Sequence, residues 1–274
     1  MTAMQSVTQA GVEDLARLEI ESSGPLAAVF RAIRLTVKPD LPPEEQAWIS
    51  RIEGLRSELA ASQEQISVAL PYPTAKEKFG VVGEITRLRS VRPVWGHLMF
   101  NLVRALRPLI SLELGTAVGL SGAYQGAALD LNGGGRLLTL EGSAGVSSLA
   151  ARNFAQLGLA RVEGRTGLFR DTLAPALEDL RLVDFAFIDG HHDENATVAY
   201  FEQILPYVPT ERVVVFDDIN WSEGMKNAWQ VIQQHERVAT AVDVRKLGIC
   251  LIGDGRQPKQ AFQLPHLERL PAAS

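Results

Sequence analysis

Residues 109–122, LISLELGTAVGLSG, decide the fold. An apolar run of strand length ends in an acid and a glycine, and a turn of regularly spaced glycines then opens a helical pattern. The same texture recurs in RLLTLEG (136–142), VDFAFIDG (183–190) and RVVVFDD (212–218), each followed by a helical stretch. Strands alternating with helices predict a parallel sheet, and runs apolar on both faces predict strands covered by helices on both sides. The right-handed crossover rule then limits the topology to a doubly wound, mostly parallel α/β sheet. VATAVDVRK and LGICLIGDG (238–255) read as two strands with a tight connection, an antiparallel hairpin near the C-terminus.

Upstream of this core, apolar positions recur at helical spacing, as in Trp48, Ile52, Leu55 and Leu59 after the start signal DLPPEE. The periodicity predicts helices over 13–37 and 42–62, a loop over 69–82 with Pro71, Pro73 and Gly80, and a helix from Pro93 to about Leu106. The tail QPKQAFQLPHLERLPAAS has three prolines and no period, which predicts irregular structure. The organisation is then a helical N-terminal extension (1–82), the α/β domain (83–255) and an irregular tail (256–274).

The chain has 274 residues, 46% of them hydrophobic, with 27 Lys plus Arg against 32 Asp plus Glu. A formal charge of −5 without any basic block leaves no electrostatic footprint for a nucleic-acid backbone or an anionic membrane surface. Cys250 is the only cysteine, which excludes an intrachain disulfide and any CxxC-type site. The first residues, MTAMQSVTQAGVEDL, have neither a basic nor an apolar leader region, and no apolar run reaches membrane-spanning length. A cytoplasmic protein is expected, with oligomeric state left open and a homodimer among the options.

In a doubly wound sheet, ligands bind outside the carboxyl ends of the strands, where Glu113, Glu141, Asp189 and Asp217 stand. ELGTAVGLSG (113–122) spaces Gly115, Gly119 and Gly122 differently from a dinucleotide fingerprint, and Glu113 before them would repel a pyrophosphate. The arrangement suits a ligand with an ammonium group, with Thr116 and Ser121 offering hydroxyls to its polar end; a plain strand-to-helix turn would read the same way. Glu141 ends the next strand, where α/β nucleotide folds place an acid against the ribose hydroxyls. Gly142 and Ser143 follow it, and TGLF (166–169) sets Gly167 beside apolar residues suited to an adenine ring. In this order the residues indicate an adenosine that carries an amino acid.

These residues resemble the class I S-adenosylmethionine-dependent methyltransferases over 105–255, with ELGTAVGLS as their first motif. The resemblance implies a seven-stranded Rossmann-like sheet. Within that superfamily the likeness is closest to the cation-dependent O-methyltransferases of the catechol and caffeoyl-coenzyme A type, carried by FIDGHH (187–192) and FDDINW (216–221). It implies Asp189, Asp217 and Asp218 as ligands of Mg²⁺ or another divalent cation, Asp218 standing where the family has Asn. It also implies Asp189 and His191 at the cofactor. The family's general base, a Lys three residues beyond the first metal-binding Asp, is replaced by His192, which titrates near neutrality and can take a hydroxyl proton. His191 either orients His192 or contacts the cofactor. From IEGLRSEL (52–59) to the last strand the chain is also similar to uncharacterised bacterial class I methyltransferases with a helical N-terminal extension.

The function implied is methyl transfer to a hydroxyl oxygen of a small-molecule acceptor, with metal assistance. A metal-independent methyltransferase acting on nitrogen or carbon is the nearest rival, followed by a non-catalytic cofactor-binding scaffold. A redox-metal enzyme is disfavoured, because no two-His, one-carboxylate spacing is present. Met225, Ala228, Trp229 and Ile232 form a helical stripe that reads as core. Trp221 is a candidate wall of the acceptor site, with core packing the alternative, and Trp95 and His97 are candidate covers of the cleft. His235 and His266 read as surface or packing residues.

Overall fold

The computed structural model describes residues 4–6, 12–72 and 76–264. In chain order the described residues form β1 (Met4–Ser6), α1 (Val12–Glu21), α2 (Gly24–Val37), α3 (Pro43–Ala61), β2 (Gln65–Ser67), β3 (Phe79–Val81), α4 (Val82–Arg89) and α5 (Pro93–Leu106). There follow β4 (Ile110–Leu114), α6 (Leu120–Asn132), β5 (Arg136–Glu141), α7 (Ala144–Leu157), β6 (Val162–Thr166) and α8 (Phe169–Leu180). The last elements are β7 (Phe185–Ile188), α9 (Glu194–Ile204), β8 (Val213–Phe216), α10 (Glu223–Gln234), β9 (Val238–Asp243), β10 (Gly248–Ile252) and β11 (Gln260–Gln263). The predicted alternation of strands and helices is present, with mostly parallel pairing and an antiparallel hairpin, β9–β10. No helix among the described residues is long and apolar enough to cross a membrane. The chain divides into two compact units, residues 40–179 and residues 1–39 with 180–274.

The unit of residues 40–179 is built on β4, β5 and β6, parallel and in that order, in register from Ile110↔Arg136 to Leu114↔Leu140 and from Leu137↔Val162 to Glu141↔Thr166. α6 is buried from Leu120 to Leu129, and its small residues allow this depth: a Cβ on Gly126 would lie 2.5 Å from the Val162 side chain. α5 starts at Pro93, whose missing N–H costs nothing in a first turn. On α5, Trp95 is fully buried, so it belongs to the core and not to a cleft cover. His97 packs edge-on against Tyr124 at 5.7 Å, and Gly96 leaves room for that ring. Among its described residues, the stretch expected as loop over 69–82 holds a short strand, β3, which pairs antiparallel with β2.

The other unit orders its strands β1-β11-β9-β10-β8-β7. β7, β8 and β10 are buried at every residue, as their unbroken apolar runs require. β11 falls in the segment read as irregular: Gln260–Gln263 pairs parallel with Thr240–Asp243 and in turn receives β1. His266 lies outside the described residues. The helix predicted over 13–37 is two helices. Gly24 takes a positive φ of 54° and Pro25 follows with no N–H to donate, so the chain turns and restarts there. Phe30 of α2 meets Phe262 of β11 edge-on at 5.1 Å. The stripe Met225, Ala228, Trp229 and Ile232 is core, as predicted.

Beneath the β4–α6 turn lies a buried carboxyl group. Glu113 is fully enclosed; Thr139 Oγ1 donates to its Oε2 at 2.6 Å and Gln125 Nε2 to its Oε1 at 2.8 Å, with Ser121 a further donor. Burial raises the carboxyl from 4.5 to about 7, against the pull of Thr139, Ser121 and Gln125. The folded protein therefore holds a proton that the unfolded chain has lost over this interval, so stability is fully present below about pH 4.5 and falls as pH rises through about 7. The loss is on the order of 3 kcal/mol. Glu113→Gln preserves the shape and removes the proton exchange. Its melting temperature should decline less than that of the parent between about pH 5 and pH 8 in differential scanning calorimetry. Parallel curves for the two proteins would mean that Glu113 is already ionised in the fold at pH 5.

Candidate active site

In the unit of residues 40–179, β4 ends in a turn of unusual backbone: Gly115, Ala117 and Gly119 have φ of 104°, 45° and 88°. Two are glycines because an L side chain is strained there. Ala117 accepts the strain, and its N–H donates to Glu141 Oε2 at 3.1 Å. The N–H groups of Gly115 and Thr116 both donate to the Leu140 carbonyl, extending the β4–β5 ladder into the turn. A Cβ on Gly119 would lie 2.9 Å from the Phe154 ring, so α7 closes on the turn from one side. The hydroxyls expected to meet a ligand face inward. Thr116 Oγ1 is 2.6 Å from Thr139 Oγ1, and Ser121 bonds Glu113. Glu113 itself, with both oxygens engaged, braces the turn from below.

Glu141 ends β5 half-buried, and its second oxygen accepts from the Ser143 N–H at 2.9 Å. Burial raises its carboxyl, opposed by the Ser143, Ala117 and Gly142 backbone donors. A carboxylate has about four lone-pair sites, so Glu141 retains capacity for two hydroxyls of one sugar. The surrounding surface is small and apolar. A Cβ on Gly142 would lie 2.8 Å from Leu70, and Leu168 stands on the same side. Gly167, at φ 146°, donates its N–H to the Glu141 carbonyl at 2.8 Å, and a Cβ there would meet the Thr172 methyl at 2.6 Å. Ser143 is buried and donates to the Ser67 carbonyl at 3.1 Å, tying β2 to the start of α7. A carboxylate with spare acceptor capacity, beside glycines and leucines, fits a nucleoside. Leu70 escaped the sequence reading because it lies in an aperiodic loop.

In the other unit, Asp189 follows β7 while Asp217 and Asp218 follow β8, and the backbone is strained around them. His191, His192 and Asp218 have φ of 72°, 42° and 52°, a conformation non-glycine residues keep only where the surroundings impose it, commonly at functional sites. The Asp217 N–H donates to the Ile188 carbonyl at 2.9 Å, and the Asp218 N–H to Asp217 Oδ1 at 2.8 Å. His192 Nε2 is 3.6 Å from Asp189 and 3.9 Å from Asp218. His191 Nδ1 is 2.8 Å from the Tyr200 hydroxyl. Asp193, which follows His192, caps α9 by accepting from the Ala196 N–H at 3.0 Å. Trp221 is 73% exposed, which excludes core packing. His235 is structural: it accepts from the Arg237 N–H at 3.1 Å and packs edge-on against Phe201.

The group the sequence reading missed is Lys246, in the turn between β9 and β10. Its ammonium donates to Asp217, and to Asp218 Oδ1 at 2.6 Å, while its carbonyl accepts from the Ile219 N–H at 3.1 Å. Burial pulls this ammonium down, but Asp217 and Asp218 outweigh it and hold Lys246 above its usual range. Asp189 is raised well above the usual carboxylate range by burial and by the charge of Asp217, with Lys246 opposing. The divalent cation expected on these three carboxylates does not fit the arrangement, because an ammonium already bridges two of them. Among the described residues no group of three or more His, Cys, Asp and Glu side chains is disposed to hold a metal ion.

Residues 112–219 match the family model described as a methyltransferase domain. No curated protein matches the chain. Among solved structures, an O-methyltransferase from Bacillus cereus in complex with SAH is 23% identical, with a TM-score of 0.55 over 79% of this chain and 94% of that one. The O-methyltransferase TomG from Streptomyces achromogenes, in complex with SAM, is 24% identical, with a TM-score of 0.52 over 60% of this chain and 82% of that one. The SAH-bound methyltransferase PaMTH1 from Podospora anserina is 14% identical, with a TM-score of 0.56 over 93% of this chain and all of that one. Identities this low establish the fold alone, and the family model matches less than half of the chain. Residues 112–219 therefore resemble a methyltransferase domain, and the chain carries the fold of these methyltransferase neighbours.

Proposed function

We propose that this protein transfers a methyl group from S-adenosylmethionine to a hydroxyl oxygen of a small molecule. The observation that carries the reading is Glu141: a carboxylate at the end of β5, inside the matched domain, fixed by the Ala117 and Ser143 N–H groups and flanked by glycine and leucine surface. The names of the Bacillus and Streptomyces neighbours, both O-methyltransferases, support oxygen as the acceptor atom.

The cofactor supplies a sulfonium methyl, an electrophilic carbon whose loss leaves sulfur neutral. The chain's own residues do the rest. Glu141 accepts from the ribose hydroxyls, Gly142 and Gly167 let the nucleoside approach the backbone, and Leu168 with Leu70 give its base an apolar face. His192 takes the acceptor's hydroxyl proton on Nε2, the nitrogen that lies near Asp189 and Asp218. His191, bonded to Tyr200, sets the backbone from which His192 projects.

Two variants separate binding from chemistry. Glu141→Ala should weaken S-adenosylhomocysteine binding in calorimetry by about 1.5–3 kcal/mol, roughly tenfold to a hundredfold. Unaltered affinity would reject the ribose assignment. His192→Ala should lower kcat by about 10²–10⁴-fold and leave cofactor affinity unchanged, as the loss of a general base does. A variant with the parent's kcat would remove His192 from the mechanism.

A further inference from the structure

We propose that Lys246 is the resident cation of the carboxylate cluster, a positioning residue that holds Asp217 and Asp218 and keeps a divalent metal out. This rests on the reading of that cluster as part of the methyl-transfer site.

The geometry sets the alternatives against each other. Asp217 and Asp218 are adjacent in sequence and both follow a fully buried strand, so their two charges need a cation close by. Lys246 provides it from the β9–β10 turn, donating to both carboxylates. Mg²⁺ takes its oxygen ligands at about 2.0–2.1 Å and strips its water reluctantly. To share these carboxylates it would have to enter the space that the ammonium fills, 2.6 Å from Asp218 Oδ1, and would meet a like charge there. The turn is also pinned from the other side, since the Lys246 carbonyl accepts from the N–H of Ile219. The ammonium is thus held at the carboxylates by the fold itself.

The consequence for the reaction is positional. Lys246 donates to the carboxylate of Asp218, whose backbone is left-handed, and Asp218 stands 3.9 Å from His192 Nε2. The transfer balances without a metal. The acceptor O–H bond breaks as the O–CH₃ bond forms, the proton goes to His192, and the S–CH₃ electron pair returns to sulfur.

Electron paramagnetic resonance of Mn²⁺ titrated into the full chain tests the proposal, with S-adenosylhomocysteine calorimetry run in parallel. The parent should leave the free-Mn²⁺ signal undiminished at millimolar metal. Lys246→Met, which keeps the length and removes the charge, should gain Mn²⁺ affinity by about tenfold or more. Adding Asp218→Asn to Lys246→Met should abolish that gain. Circular dichroism establishes that each variant is folded; if Lys246→Met fails to fold, Lys246→Gln takes its place. Mn²⁺ binding by the parent that Asp217→Asn removes would overturn the proposal, and so would a folded Lys246 variant with no gain. Failure of the methyltransferase reading is separate: it would show as no S-adenosylhomocysteine binding by the parent, whatever the Mn²⁺ result.

Discussion

The unit of residues 40–179 depends on one constraint, the enclosure of the Glu113 carboxyl group. A buried carboxyl is costly unless its oxygens are bonded, and the surroundings are arranged to meet that need. Thr139 comes from the neighbouring strand, while Gln125 and Ser121 come from the helix that follows. Those contacts fix the distance between strand and helix. A Cβ on Gly122 would lie 3.2 Å from a Glu113 oxygen and 3.0 Å from the Phe154 ring, so a larger residue at the crossing would press on both. With the helix held this close, the chain between must turn sharply, and Gly115, Ala117 and Gly119 turn it through left-handed backbone. The strained turn in turn brings the Ala117 N–H to Glu141.

The second unit meets a similar problem by different means. Asp189, Asp217 and Asp218 crowd the ends of two buried parallel strands, and they are compensated by charge as well as by hydrogen bonds. Asp189 resists ionisation, Lys246 neutralises its neighbours, and His192 stands within 4 Å of Asp189 and Asp218. Three non-glycine residues in left-handed conformation surround this cluster. Each costs of the order of 1–3 kcal/mol, which the surrounding fold must offset.

Much of this is legible in the sequence. Strands that are apolar on both faces announce themselves, and LISLELG, RLLTLEG, VDFAFIDG and RVVVFDD were read as strands for that reason. The acids closing them follow from the same reading. Where local signal is weak the reading missed features. Gly24 and Pro25 sit inside an otherwise continuous helical period, and the period masks the break. β11 has no alternation strong enough to outweigh Pro258 and Pro265; its pairing with β9 is a contact across sequence that no window contains. Thr116 and Ser121 were read as ligand hydroxyls because residue type says nothing about which side of a turn a hydroxyl faces.

Composition, periodicity and the acids at strand ends determined the α/β class, the alternation of strands and helices, and the residues around which a site could form. Those properties depend on burial and on spacing along the chain, so the sequence contains them. Tertiary structure alone decided what the acids do. Lys246 lies twenty-eight residues beyond Asp218 in a hairpin turn with no motif of its own, yet its ammonium donates to that carboxylate. Leu70 reaches Gly142 from a loop more than seventy residues earlier. A charge acts over a few ångströms of space and has no regard for sequence distance, so the partner of each carboxylate became known only when the chain was folded.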